Sequence, residues 1–87
     1  MSRLMILPVD GLPLGKRWLT LGDQGEDVRK LQGLLTGLGL YDGERSGEYD
    51  YLTREAVKAF QRAYRLSVDG ICGPDTCKLL AEAKINN

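Results

Sequence analysis

Val28-Arg29-Lys30-Leu31-Gln32 returns further along the chain as Val57-Lys58-Ala59-Phe60-Gln61, and the reading of that recurrence decides the fold. Each copy sets two apolar side chains three residues apart and follows the second with a glutamine, a spacing that lines one face of a helix. A second recurrence accompanies the first. Gly47, Asp50 and Thr53 return as Gly70, Gly73 and Thr76, each 23 positions after its counterpart. The chain therefore reads as two similar halves, and each glutamine is expected to hold a neighbouring turn through its amide, because buried backbone groups must be paired. Direct contact of Gln32 and Gln61 with a ligand is the alternative.

Working outward, Asp23 followed by Glu26 has the form of a capping box, which starts helix one at Asp23. Val28, Leu31, Leu35 and Leu38 then form its inner stripe, and Gly39 ends it as a C′ residue. A polar, glycine-broken loop follows, from Tyr41 to Gly47. Helix two starts with Asp50 as N-cap, and Leu52, Ala56, Val57, Phe60, Ala63 and Tyr64 share a face that reads as core. Helix three opens with Gly73 as N-cap and Pro74 at N1, where the missing amide hydrogen costs nothing. Cys77, Leu80 and Ala81 supply its buried side, and Lys84 to Asn87 are expected to fray. No stretch alternates strictly enough for more than a minor sheet. The fold class is all-α: a small three-helix bundle of two similar halves.

Pro8, Gly11, Pro13 and Gly15 interrupt the first residues too closely for a helix to pass. Residues 1–18 read as an extended arm, with Leu4, Ile6 and Trp18 laid onto a domain spanning residues 19–87. The apolar run from Leu4 to Val9 is far shorter than the roughly 18 residues of a membrane span. Flanked only by Arg3 and running into Asp10, it is also not expected to be an export signal.

The 87 residues suit one small domain. Twelve basic residues balance twelve acidic ones, so the overall charge favours neither nucleic acid nor an anionic membrane. Histidine is absent and only two cysteines are present, short of the usual zinc ligand set. No cofactor is expected. With Gly73 as N-cap, Cys72 is N′ and Cys77 is N4, positions whose side chains meet in a hydrophobic staple. A disulfide between them and simple packing of two thiols both remain open.

From Leu19 to Leu80 the chain resembles the peptidoglycan-binding domain attached to bacterial cell-wall hydrolases, spore cortex-lytic enzymes and phage endolysins. The residues carrying the resemblance are Leu21-Gly22, Gly25, Val28, Leu31-Gln32, Leu35, Gly39, Gly47, Thr53, Ala56-Val57, Phe60-Gln61, Leu66, Asp69-Gly70-Ile71, Gly73, Thr76 and Leu80. The resemblance implies a three-helix fold with a shallow groove for the glycan strand or the stem peptide of the wall. It also implies a partner hydrolase, attached or associated, and action at the bacterial cell wall. Asp50 stands where the family usually has glycine, and Cys72 and Cys77 stand where an aliphatic and an aromatic residue are usual.

The turn Asp69-Gly70-Ile71-Cys72-Gly73 and its counterpart Ser46-Gly47-Glu48-Tyr49-Asp50 are the candidate groove walls. Gly70 is expected at a positive φ, and Asp69 is expected to bond the backbone two residues on. The candidate ligand-binding set is Gly47, Tyr49, Asp50, Tyr51, Arg54, Asp69, Gly70, Ile71, Gly73 and Asp75. Tyr49 and Tyr51 would stack a sugar or peptide, Arg54 would pair with wall carboxylates, and amides at the two helix starts would receive anions.

Three functions compete. A non-catalytic wall binder fits the duplicated motifs. A hydrolase would have to use the Asp42, Glu44, Glu48 and Asp50 carboxylates, which read more simply as a solvated loop. A protein-docking adaptor would need an exposed apolar patch.

Overall fold

The structure is a computed structural model and describes residues 14–86. Three helices follow in order: α1 over Glu26–Gly37, α2 over Tyr51–Ala63 and α3 over Pro74–Asn86. Among the described residues there is no named strand, only two isolated antiparallel bridges, Leu19 with Cys72 and Gln24 with Glu48. Helix α1 packs against both α2 and α3. Its Val28, Leu31 and Leu35 meet Ala56, Val57 and Phe60 of α2 and Cys77, Leu80 and Ala83 of α3 in one core, closed by Leu19, Tyr41, Tyr49 and Cys72 from the loops. Leu4 and Ile6, the apolar run to Val9, and Asn87 lie outside the described residues.

Helix α1 starts two residues later than the capping-box reading has it. Gly25 is the N-cap and no side chain caps the helix. Asp23 is committed elsewhere: its carboxylate accepts from Thr20 N at 2.9 Å, and its carbonyl accepts from Tyr49 N at 2.8 Å. Glu26 lies 3.3 Å from Arg29, one helical turn on, in place of reaching back.

The C-terminus of α1 follows the expectation. Gly39 N donates to Thr36 O and Leu40 N to Leu35 O, the paired bonds of a Schellman motif, with Gly39 at φ +79°. Helix α2 ends on the same bonds, Arg65 N to Arg62 O and Leu66 N to Gln61 O. There the left-handed residue is Arg65 at φ 61°, the one non-glycine residue at positive φ among those described. A side chain in that conformation is strained, so Arg65→Gly is expected to stabilise the domain by about 1 kcal/mol. A urea titration would check it, and an unchanged or lowered midpoint would refute it.

The inward face of α2 differs from the apolar stripe. Leu52, Ala63 and Tyr64 are exposed, while Thr53 and Gln61 are buried beside Ala56, Val57 and Phe60. Tyr64, expected in the core, stacks on Phe60 from outside with ring centroids 4.3 Å apart. Asp50 does cap α2, accepting from Thr53 N at 2.9 Å. In α3 the buried partner of Leu80 is Ala83, and Ala81 is exposed. The helix continues to Asn86, through most of the stretch expected to fray. Cys77 N donates to Gly73 O at 2.9 Å, as an N-cap at Gly73 requires.

The described part of the arm is tied down by charge. Arg17 makes a two-pronged contact with Asp27, Nε to Oδ2 at 2.8 Å and Nη2 to Oδ1 at 3.1 Å, and Asp27 is fully buried. Trp18 is 65 % exposed while Leu19 is wholly buried.

Candidate functional site

Both glutamines are buried and each ties down one loop. Gln32 Oε1 accepts from Gly47 N at 2.9 Å, and its Nε2 donates to Glu48 O and Thr53 Oγ1. Gln61 Oε1 accepts from Gly70 N at 3.0 Å, and its Nε2 donates to Ile71 O and Thr76 Oγ1. Position by position, these are the same three bonds. The sequence recurrence is thus a repeated hydrogen-bond knot: a helix presents a glutamine to the loop leading into the next helix, whose first-turn threonine completes the knot. The structural reading of the two amides holds, since both are buried and each bonds the backbone of its loop.

The two loops also touch each other. Tyr49 is buried, and its hydroxyl donates to Gly70 O at 2.7 Å. Burial pushes the Tyr49 phenol far above its ordinary value, with the neighbouring Cys72, Cys77 and Asp69 adding to the effect. This corrects its reading as an exposed stacker: spanning the two half-units, it is a strut. Gly70 sits at φ +74° as expected, but it is buried under α2, where an added β-carbon would stand 3.0 Å from Cγ of Arg54. Arg54 therefore lies over the loop backbone.

Five of the remaining candidates divide between two depressions whose linings share no residue. Gly47 lines the smaller, about 310 Å³, with Gln24, Glu26, Arg29 and Glu48. Asp69, Ile71, Gly73 and Asp75 line the larger, about 440 Å³, together with Trp18 and Leu66. Asp50 is occupied as the α2 cap and also accepts from Thr53 Oγ1 at 2.7 Å. Tyr51 is 64 % exposed and lines neither depression.

Trp18 is the wall that the sequence reading missed, having assigned it to arm packing. As the chain's single tryptophan beside the start of the compact unit, it is the signal that pointed there. Its six-membered ring lies against the Gly73 backbone, where an added β-carbon would stand 3.0 Å from Cζ3.

The amides of the second loop are paired within the domain. Asp69 N and Gly70 N donate to Gln61 Oε1, and Ile71 N donates to Asp69 Oδ1. The bonds from Ile71 N and Gln61 Nε2 hold the Asp69 carboxyl below its ordinary range, so it is an anion at neutral pH. Asp75 is exposed at the first turn of α3.

Cys72 and Cys77 meet as the staple geometry requires, with sulfurs 2.7 Å apart, and both are free thiols. Hydrogen bonding to Cys77, reinforced by burial, pushes the Cys72 thiol up, and the same bond lowers that of Cys77. Cys72 also pairs with Leu19 through both of its backbone groups, at 2.8 and 3.1 Å. This fixes the residue that follows Trp18 against the one that precedes Gly73.

Gly47 gives a direct test of loop geometry. It sits at φ +83°, and an added β-carbon would stand 3.2 Å from the backbone oxygen of Gly25, the residue whose N–H donates to Gly47 O. Gly47→Ala is expected to cost about 2 kcal/mol from strain and displacement together. A loss in urea titration of less than about 0.5 kcal/mol, the range of an ordinary surface change, would refute it.

Comparison with known proteins agrees with this architecture. Residues 24–80 match the family model described as peptidoglycan binding domain. The chain is 45 % identical over 56 residues to the N-acetylmuramoyl-L-alanine amidase CwlM of Mycobacterium tuberculosis, covering 64 % of this chain and 14 % of that protein. It is 39 % identical over 62 residues to a spore cortex-lytic enzyme of Bacillus cereus, covering 71 % of this chain and 24 % of that one. The chain thus spans less than a quarter of the length of either relative. The crystal structure of the SleB N-terminal domain superposes with a TM-score of 0.80 at 33 % identity, covering 83 % of this chain and 99 % of that chain. With the helix order, the paired glutamine knots and the family match in agreement, this chain belongs to the peptidoglycan-binding domain family.

Proposed function

We propose that the domain is a non-catalytic anchor that binds peptidoglycan and holds a wall hydrolase, attached or associated, on its polymeric substrate. The observation carrying this reading is the pair of glutamine knots. They rigidify two loops bordering open depressions, in a chain matched to a peptidoglycan-binding family over residues 24–80. Rigid loops lower the ordering cost of binding. The chain has no histidine to act as a base, and among the described residues no group of three or more Cys, Asp or Glu side chains is placed to hold a metal ion. No helix among those residues is long and apolar enough to cross a membrane.

A depression of this size buries little ligand, so single-site affinity is modest, and repeated sites along a polymer or a linked enzyme raise the effective affinity. Sedimentation with purified insoluble wall sacs tests the reading. The expected result is protein in the pellet at low and moderate salt, with the turbidity of the suspension unchanged over hours. Protein wholly in the supernatant would overturn the binding assignment. Clearing of the suspension would overturn the non-catalytic one.

A further inference from the structure

We propose that the Trp18 cleft takes the glycan strand of the wall, with the indole as a platform for a sugar ring. This deepens, and rests on, the reading of the domain as a peptidoglycan binder. Trp18 is a large apolar side chain left 65 % exposed. It is not left there for want of a place: one side of its six-membered ring rests on the Gly73 backbone, a position open only because Gly73 carries no side chain. The chain next to it is pinned by the reciprocal backbone bonds of Leu19 and Cys72. An aromatic face held at the edge of a cleft of about 440 Å³ offers a flat, weakly polar surface, complementary to the C–H face of a pyranose. Ile71 and Leu66 extend that apolar surface.

The polar groups of the cleft choose between the two parts of the polymer. A stem-peptide carboxylate needs donors, but the Asp69, Gly70 and Ile71 amides are spent on Gln61 and Asp69, and Pro74 has no amide hydrogen. The donors that the lining keeps are the Ser67 hydroxyl and the first-turn amides of α3 at Asp75 and Thr76, beside the Asp75 carboxylate. What remains facing the ligand includes two carboxylates, Asp69 and Asp75. One oxygen of Asp69 already accepts from Gln61 and Ile71. Carboxylates repel a carboxylate and accept readily from sugar hydroxyls and acetamido N–H groups. A neutral ring rich in donors, stacked on an indole, fits this set.

Trp18 is the chain's only tryptophan, so its fluorescence reports the cleft without a label. The probes are glycan oligomers stripped of stem peptides by an amidase, and free stem peptides without sugar. Stripped glycan is expected to shift the Trp18 emission saturably, and stem peptides are expected to leave it unchanged. Trp18→Ala should weaken retention on wall sacs about tenfold with an unchanged urea midpoint, and Trp18→Phe should recover part of the loss. Gly73→Ala, which moves the indole without removing it, should weaken glycan binding as well.

Saturable binding of stem peptides with none of stripped glycan would overturn the inference while leaving the wall-binding reading intact. Full retention of Trp18→Ala on the sacs would overturn it too. Failure of the parent protein to sediment with sacs would instead remove the reading beneath it.

Discussion

Gln61→Leu is expected to cost about 3–5 kcal/mol and to lower the midpoint of thermal unfolding by about 15–25 °C. The substitution keeps the side chain close in size and removes the knot. Gly70 N loses its partner, as do Ile71 O and Thr76 Oγ1. Gly70 and Thr76 are buried, so water does not replace the lost bonds without opening the loop. Each buried polar group left unpaired costs about 1–3 kcal/mol. Asp69 N is a smaller loss, being exposed and also near Ser67 O at 3.2 Å. Domains of this size hold only about 5–10 kcal/mol in total, so a large part of the stability goes. Gln32→Leu, which breaks the twin knot on Gly47, Glu48 and Thr53, is expected to fall in the same range. Differential scanning calorimetry reads both, and a Gln61→Leu variant within about 5 °C of the parent would show that the knots carry little of the fold.

Phe60→Ala is expected to cost about 3–5 kcal/mol by the ordinary arithmetic of emptying a core. Phe60 is fully buried at the centre of the α2 face, and its ring is also the surface on which Tyr64 stacks. Tyr64→Ala is the matched control. Because that ring is 42 % exposed, its loss is expected to cost about 1 kcal/mol or less. Equal effects from the two variants in urea titrations would contradict the core described above. So would a Phe60→Ala loss under about 1 kcal/mol.

These two variants separate the contributions to the fold. The apolar stripe was legible because helical spacing is local: Val28, Leu31 and Leu35, then Ala56, Val57 and Phe60, lie on the inner faces that the 3.6-residue period assigns them. Where the period was read too literally, at Leu52, Ala63 and Tyr64, it included apolar residues beyond the edge of the contact. The positions it gave no reason to bury, Thr53 and Gln61, are inward because polar partners meet them there: Gln32 of α1 for Thr53, and the loop at Gly70 and Ile71 for Gln61. The capping-box reading of Asp23 and Glu26 missed for a similar cause. Thr20 N and the loop at Tyr49 compete for Asp23, and a pattern of four residues holds no information about a competitor 26 positions away.

The candidate site shows the same division more sharply. Asp69, Ile71, Gly73 and Asp75 were legible as one wall because they are neighbours in sequence. Tyr49 was not legible as a strut, because burial of a tyrosine in a polar loop depends on a carbonyl, that of Gly70, brought to it by the other half-unit.

Sequence alone determined the number and order of the helices, the inner stripe of α1 at Val28, Leu31 and Leu35, the Schellman end of α1 at Gly39, the caps at Asp50 and Gly73, the meeting of the two cysteines and the loop-holding role of both glutamines. All of these follow from steric and hydrogen-bonding preferences acting within a few residues, or from a recurrence visible along the chain. Only the tertiary structure decided that Gly47 and the Asp69 to Asp75 residues border two separate depressions, that Tyr49 joins the loops and that Trp18 stands over Gly73 at the edge of one of them. Each depends on groups distant in sequence meeting at a fixed distance, and that distance is set by how α1 packs against α2 and α3.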